Sequence, residues 1–150
     1  MIQFNMAMLA VVVAAPAPPD PVSEAVAELQ GTWALVSFEV KGGKPIPDTT
    51  STTITIKGKE LSLRKRTTDP RKYTYTVDPV KSPAHLDLTF VGETGVCHAI
   101  YRLEKGELMI CAGTNLEPDE ASNRPREFTT GLASDRPPKG NLILIFKRVK

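Results

Sequence analysis

With 150 residues, of which 41% are hydrophobic, the chain suits one domain with a single core. Its formal net charge of +2 excludes the strong positive field by which many proteins bind nucleic acids. The two cysteines, Cys97 and Cys111, form no Cys-x-x-Cys pair, which argues against a zinc knuckle and against a thioredoxin-like redox site.

The N-terminal segment is apolar and rich in alanine and proline. Its run Met6–Ala15 is too short to cross a bilayer as a helix, but it has the length of a signal-peptide hydrophobic region. Residues 1–5 contain no Lys or Arg, so the usual positive segment of a signal peptide is missing. We expect residues 1–20 to be a signal-like or disordered leader with a Pro-rich linker, and residues 21–150 to be the folded domain. Export to the periplasm, envelope or medium is favoured over a cytoplasmic location, with no integral membrane span in the mature chain.

A short helix and a first strand are predicted after the leader. Ser23 is a suitable N-cap, and Gly31 marks the C-terminal end of the helix. A helix of so few residues needs a surface to dock on. The side chains expected to dock are Ala25, Val26 and Leu29. Thr32–Lys41, rich in β-branched and aromatic residues, is the first predicted strand, and residues 42–47 form a predicted loop.

Two hairpins are predicted from turn residues flanked by alternating apolar and polar positions. Their strands are Thr50–Lys57 with Glu60–Arg66, and Val96–Leu103 with Leu108–Gly113. Two-residue turns place Lys57 opposite Glu60 in the first hairpin. In the second hairpin, the same rule pairs Cys111 with Ile100 and places Cys97 on the other face, opposite Thr114. Because cysteines on opposite faces do not meet the distance limits of a disulfide, two free thiols are predicted.

The remaining strands are predicted from alternation alone. They are Lys72–Val77, Leu86–Val91 and Leu142–Val149, with a short extended piece at Glu127–Thr130 and loops at Leu116–Arg126 and Asp135–Gly140. Leu142–Val149 is apolar on both faces up to Lys147, so we expect it to close a barrel with the N-terminal helix against it. Short antiparallel strands joined by hairpin turns predict an all-β, up-and-down barrel of about 8–9 strands, with a sandwich as the alternative.

The stretch Gly31-Thr32-Trp33, at the start of the first strand, resembles the Gly-x-Trp signature of lipocalins. A wider order of motifs, from Leu29 to Lys150, resembles a planctomycete-rich family of uncharacterised lipocalin-like β-barrel domains. The motifs are Leu-Gln-Gly-Thr-Trp (29–33), Gly-Lys-Pro (43–45), Ile-Thr-Ile-Lys-Gly (54–58), Asp-Pro-Val-Lys-Ser-Pro (78–83), Leu-Asp-Leu (86–88), Ile-Tyr-Arg-Leu (100–103), Leu-Met-Ile-Cys (108–111), Arg-Pro-Arg-Glu-Phe (124–128) and Lys-Arg-Val (147–149).

The resemblance implies a barrel whose floor is closed by Trp33, with an Arg of the last strand over the indole. Arg148 is in phase with the apolar residues of the last strand, so it can point inward and make a favourable cation–π contact. The expected closure residues are therefore Gly31, Trp33 and Arg148. Ala99 stands where the family usually has a Gly, and we expect this difference to affect side-chain packing only. The resemblance implies no established ligand or reaction, and we expect no cofactor.

The histidines and cysteines give no catalytic or metal-binding pattern. Cys97 and His98 are adjacent in a strand and point to opposite faces, so they do not readily share one metal ion. We expect His98 and His85 at solvent or edge positions. Cys111 beside a His would be a nucleophile–base pair, but no third orienting group is present, and a structural cysteine is favoured.

Two groups of charged residues are further candidates for a functional site. Asp78 and Asp87 flank a proline-rich loop and could act as paired carboxylates. Asp-Pro is also an ordinary turn element, and Asp87 alternates with leucines, so a solvent-facing Asp87 is favoured. The basic residues at 64–66 and 71–72 could bind phosphate or an anionic surface, but a solvated strand edge is favoured. We therefore expect a non-enzyme without a metal.

The inward-facing positions of the predicted barrel could either fill it or line a cavity for one small ligand. The candidate lining residues are Tyr73, Tyr75, Leu88, Phe90 and Tyr101. The first functional hypothesis is non-enzymatic binding of a small apolar or amphipathic ligand in or at the mouth of the barrel. The alternative is a structural or interaction module with a filled barrel, whose loops contact a protein or envelope partner. A ligand site is expected at the end opposite Trp33 or among the loops.

Overall fold

The computed structural model describes residues 13–40, 42–113, 116–131 and 141–150. They form a nine-stranded antiparallel sheet that closes on itself, with the helix α1 (Pro21–Leu29) before it. The strands are β1 (Gly31–Val40), β2 (Ile46–Pro47), β3 (Thr53–Lys57), β4 (Glu60–Arg64), β5 (Arg71–Asp78), β6 (Ala84–Phe90), β7 (Val96–Glu104), β8 (Glu107–Ala112) and β9 (Leu142–Arg148). The predicted all-β, up-and-down, lipocalin-like barrel is therefore confirmed. Within the described ranges, no helix has the length and apolar character needed to cross a membrane.

The barrel closes where β9 pairs with β1, from Trp33 opposite Arg148 to Val40 opposite Leu142. On its other side, β1 pairs first with β3 and then with the two residues of β2, so eight strands form the barrel and β2 is an addition. β2 lies within the segment 42–47 that was predicted to be a loop. That part of the prediction is wrong because two residues of pairing leave no periodic signal.

Both predicted hairpin registers are confirmed. Lys57 pairs with Glu60 in the first hairpin, and Cys111 pairs with Ile100 in the second. The core of the barrel is formed by the inward faces of its strands and includes Trp33 of β1 and Phe146 of β9, which are almost completely buried. Side chains of β5 alternate between buried and exposed along the strand, as expected for a half-buried strand.

The N-cap of α1 is Asp20, and the prediction of Ser23 is wrong. The Asp20 carboxylate accepts a hydrogen bond from the Ser23 backbone N–H at 3.2 Å. Pro21 takes the first helical position, where its missing N–H costs nothing, so the helix begins earlier. Docking occurs largely as expected, since Ala25 and Leu29 are buried and Val26 packs beside them.

The second apolar face of β9 is covered differently from the prediction. Ile143 packs outside the barrel in a small cluster with Ile100 and Cys111, and Phe128 lies against that cluster. The helix instead lies beside β5. Glu127–Thr130, predicted to be extended, is not a strand. It belongs to a segment, residues 116–131, that we call the strap.

Several expectations fall on parts of the chain outside the described residues. These are the signal-like segment at residues 1–12, the end of the first strand at Lys41, Thr114 opposite Cys97, and the whole of the loop Asp135–Gly140.

Candidate ligand-binding site at the open end of the barrel

One end of the barrel is closed by an aromatic and guanidinium stack. The Arg148 guanidinium carbon lies 4.1 Å from the Trp33 ring centroid. The indole Nε1 donates to the Leu29 carbonyl at 3.0 Å, and Arg148 donates to the carbonyls of Glu28 and Gln30. Gly31 has a φ of +121°, and a Cβ there would come within 2.9 Å of the Arg148 guanidinium. These contacts hold the helix end, β1 and β9 together.

Tyr75, a predicted lining residue, also lies at this closed end. Its hydroxyl donates to the Gly58 carbonyl at 2.8 Å and accepts a hydrogen bond from the Gln30 amide at 3.1 Å. Gln30 in turn accepts from the Gly58 N–H at 2.7 Å. Burial raises the pKa of Tyr75, with the Gln30 hydrogen bond acting in the opposite direction. The hydroxyl is thus fully used in joining the helix to the β3–β4 turn.

The opposite end is open and holds a cavity of about 660 Å³. Its apolar walls are Leu35, Phe38, Val40, Leu63, Leu116, Leu142, Leu144 and Phe146. Its polar rim is Asp48, Thr50, Thr52, Lys65, Thr68, Asp69, Arg71, Tyr73 and Glu117. The volume lies within the range of about 300–1,000 Å³ that is usual for small-molecule sites.

Asp48 organises one side of the rim. Its carboxylate accepts hydrogen bonds from the Thr50 N–H at 3.0 Å, the Thr50 hydroxyl at 2.6 Å and the Thr52 N–H at 2.7 Å. Burial by itself raises the pKa of Asp48, but these hydrogen bonds and the charge of Lys65 outweigh it and lower the pKa overall. The segment 48–52 is thereby fixed as a hydrogen-bonded turn at the mouth.

The other side of the rim joins a cation to an aromatic pair. The Arg71 guanidinium lies 5.5 Å from the Phe90 ring centroid, and Tyr73 meets Phe90 edge to face at 5.6 Å. Burial raises the pKa of Tyr73, Glu117 and Cys97 act in the same direction, and Arg71 opposes them. Arg71 and Tyr73 therefore place a positive charge and a hydroxyl at the edge of an apolar cavity.

The structure distributes the five predicted lining residues over different places. Tyr73 lines the open-end cavity, and Phe90 packs beside it without lining the cavity. Leu88 is buried in the filled core, and Tyr75 lies at the closed end. Tyr101 lines a separate groove between α1 and β7. Of the basic cluster, Lys65 and Arg71 belong to the cavity rim, whereas Arg64, Arg66 and Lys72 are exposed elsewhere.

Sequence reasoning missed the cavity residues of β1 and β9. A β-bulge between Leu35 and Ser37 shifts the alternation, so Leu35 and Phe38 both face inward and Val36 is exposed. The three-residue spacing of the apolar residues Leu35 and Phe38 is the signal in the sequence that could have indicated the bulge.

A polar cluster lies on the outer face of β6 and β7, beneath the strap. Arg124 donates to the Asp87 carboxylate at 2.6 Å and to the Ala99 carbonyl at 2.6 Å. The His98 Nδ1 lies 3.0 Å from both Asp87 and Arg124, and the His98 side chain is only 16% exposed. The expectation of a solvent or edge position for His98 is wrong because the strap covers it. Asp87 lies on the predicted outer face, but its carboxylate is bound by Arg124 and only partly exposed.

The other candidate groups do not assemble into a reactive site. Asp78 lies opposite His85, whereas Asp87 lies between Thr76 and His98, so the two carboxylates belong to different cross-strand pairs. His85 is partly buried. Burial lowers the pKa of its imidazole, and the positive charge of Arg124 acts in the same direction. Within the described part of the chain, no group of three or more His, Cys, Asp or Glu side chains could hold a metal ion.

Both cysteines are free and buried, as predicted from the register. Cys97 lies in the barrel core, and Cys111 lies under the strap, 3.8 Å from the Glu127 carbonyl. Burial raises the pKa of Cys97 to about 12 and that of Cys111 to about 11. Since the thiolate is the reactive form, neither cysteine is an activated nucleophile at neutral pH.

Comparison with protein-family models, with curated proteins and with solved structures finds no match for this chain.

Proposed function

We propose that the protein binds a small amphipathic molecule at the open end of its barrel, without catalysing a reaction on it. The observation that carries this proposal is the cavity of about 660 Å³, with apolar walls and a polar rim, opposite the end closed by Trp33. The apolar part of a ligand fits against the walls, and its polar end remains at the rim near Arg71 and Asp48.

The chemistry of the interior favours binding over catalysis. The two thiols are protonated at neutral pH, and burial raises their pKa values further, to about 12 for Cys97 and about 11 for Cys111. The Asp87–His98–Arg124 cluster is on the outside of the barrel, away from the cavity walls, and its groups hydrogen-bond to one another. We propose that the protein is an exported, lipocalin-like carrier, because this accounts for both the cavity and the apolar N-terminal segment. Export and family membership are both part of the proposal.

The test is isothermal titration of the full chain with dodecyl amphiphiles that carry a carboxylate, an alcohol or a trimethylammonium head group. Leu35→Trp fills the cavity, and Val36→Trp adds the same side chain at the neighbouring exposed position. We expect binding by the wild type and by Val36→Trp, and a loss of at least about tenfold, or about 1.4 kcal/mol, in Leu35→Trp.

Two outcomes would contradict the proposal. One is an absence of binding by the wild type for all three head groups. The other is equal affinity in the two tryptophan variants, when both retain the far-UV circular dichroism and unfolding midpoint of a folded barrel.

A further inference from the structure

A second concavity lies at the closed end of the barrel, away from the cavity of the proposed function. It is an open groove of about 450 Å³ between α1, the β5–β6 loop and β7. Pro21, Pro79 and Pro83 contribute rigid apolar walls, and Tyr101 and Phe128 contribute aromatic surface. An open groove with proline and aromatic walls is suited to an extended chain rather than to an enclosed small molecule.

Tyr101 is the buried polar group of this groove. Tyr101 is only 7% exposed, and its hydroxyl forms no hydrogen bond with any described residue. No fully enclosed side-chain polar atom in the described residues lacks a partner, so the Tyr101 hydroxyl is reached from the groove. The contrast is Tyr75, whose hydroxyl has two protein partners. A nearly buried hydroxyl left for an external partner marks a binding position.

The groove is also negatively charged. Glu24 and Glu28, one helical turn apart on α1, both line it, and neither forms an ion pair with another described residue. The cation of the groove, Arg102, is already engaged: it lies 3.6 Å from Glu104 and 5.2 Å from the Phe128 ring centroid. Burial raises the pKa of Tyr101, and the charge of Glu28 acts in the same direction. An incoming cation therefore meets two carboxylates that have no ion-pair partner among the described residues.

We propose that this groove binds an extended segment of a partner protein that presents a Lys or Arg side chain between apolar residues. The cation lies between the carboxylates of Glu24 and Glu28 and donates a hydrogen bond to the Tyr101 hydroxyl. The flanking apolar residues pack on the proline walls. Val22 and Val80, which follow Pro21 and Pro79 in the chain, are exposed apolar side chains outside the groove lining.

Charge complementarity selects a partner protein over the chain's own leader. Residues 1–19 contain no charged side chain, so they offer no basic residue to Glu24 and Glu28. This inference does not depend on ligand binding at the open end, because the two cavities share no lining residue.

The test is selection of short random peptides displayed on phage against the immobilised full chain. Enriched peptides are then synthesised, labelled and measured by fluorescence polarisation, each beside a copy in which citrulline replaces arginine or acetyl-lysine replaces lysine. We expect enrichment of peptides with a basic residue between apolar residues, and a loss of affinity of at least about tenfold in the neutralised copies.

The matching protein variants are Glu24→Gln with Glu28→Gln, and Tyr101→Phe. The double variant is expected to lower the affinity for the peptides by at least about tenfold. Tyr101→Phe keeps the ring in place and is expected to lower this affinity severalfold. The control is Glu60→Gln with Glu93→Gln, which removes the same charge from exposed positions outside the groove. The control and Leu35→Trp are expected to retain wild-type affinity for the peptides.

The proposal is overturned if no peptide is enriched, or if enriched peptides bind the wild type and the Glu24→Gln, Glu28→Gln variant equally. Enrichment of uncharged alanine- and valine-rich peptides resembling residues 1–19 would also overturn it, since the occupant would then be the chain's own leader. Circular dichroism and unfolding midpoints of all variants separate loss of binding from loss of fold.

Discussion

Arg148 covers Trp33 while its guanidinium also donates to the backbone carbonyls of Glu28 and Gln30. One side chain thus joins the last strand to the first strand and to the end of the helix. Carbonyl groups at the end of a helix lack intrahelical partners, so a cation placed there satisfies them. This relationship makes Arg148 part of the helix terminus as well as part of the barrel floor.

Replacement of Arg148 by Met keeps much of the apolar stem but removes the charge and both hydrogen bonds. We expect Arg148→Met to lower the free energy of unfolding by about 1–3 kcal/mol, from the lost charged hydrogen bonds and the lost cation–π contact. Urea unfolding followed by circular dichroism measures this loss. Lys147→Met is the control because Lys147 is adjacent and exposed. Equal midpoints for the two variants would contradict a role of Arg148 in closing the barrel.

Trp33 has no solvent exposure, and its indole N–H is bound to the Leu29 carbonyl. We expect Trp33→Ala to destabilise the domain by roughly 3–5 kcal/mol, as for other buried aromatic truncations. Because Trp33 is the only tryptophan, unfolding is followed by far-UV circular dichroism and not by fluorescence. An unchanged denaturation midpoint would refute its role as the plug of the barrel floor.

Arg124 holds the strap to the outer face of the barrel through Asp87 and the Ala99 carbonyl. We expect Arg124→Met to cost about 1.5–3 kcal/mol, because hydrogen bonds to a charged, mostly buried group are lost and the Asp87 carboxylate loses its partner. Hydrogen exchange is expected to increase in residues 116–131 before it increases in the strands. The matched control is Arg126→Met, since Arg126 is exposed. Unchanged exchange of the strap in Arg124→Met would count against this attachment.

The barrel was predictable because its strands are defined by local chemistry. Two-residue turns fix the hairpin registers, and alternation then assigns each side chain to a face, as the pairing of Lys57 with Glu60 illustrates. Trp33 and Arg148 meet because the phase of the last strand points both side chains to the same side of the barrel wall.

The polar cluster and the cavity depend on features that periodicity does not encode. Arg124 reaches Asp87 and His98 from a loop, and no spacing in the sequence indicates a contact over such a separation. The cavity depends on the bulge at Val36, which brings Leu35 and Phe38 to the same face against strict alternation. Long-range contacts and local register shifts are therefore where the sequence-based assignment of site residues failed.

The buried thiols predict a loss of stability in alkali. Burial raises the pKa of Cys97 from 9.0 to about 12, so between these values the unfolded chain releases a proton that the folded chain keeps. This contribution to stability is fully present below the unfolded pKa and falls as the pH rises towards the folded pKa. From about pH 8 to about pH 10, we expect Cys97 to reduce the free energy of unfolding by about 1 kcal/mol. Cys111 and the buried tyrosines act in the same direction, since their pKa values are also raised.

Urea unfolding at a series of pH values, compared between wild type and Cys97→Ala, isolates the contribution of this thiol. The variant is less stable at neutral pH because a buried atom is removed, but its stability is expected to fall less steeply in alkali. Parallel profiles would show that the Cys97 thiol ionises equally easily in the folded and unfolded chains, contrary to its burial. A thiol titration in denaturant without reductant completes the test, because both Cys97 and Cys111 must then react as free thiols.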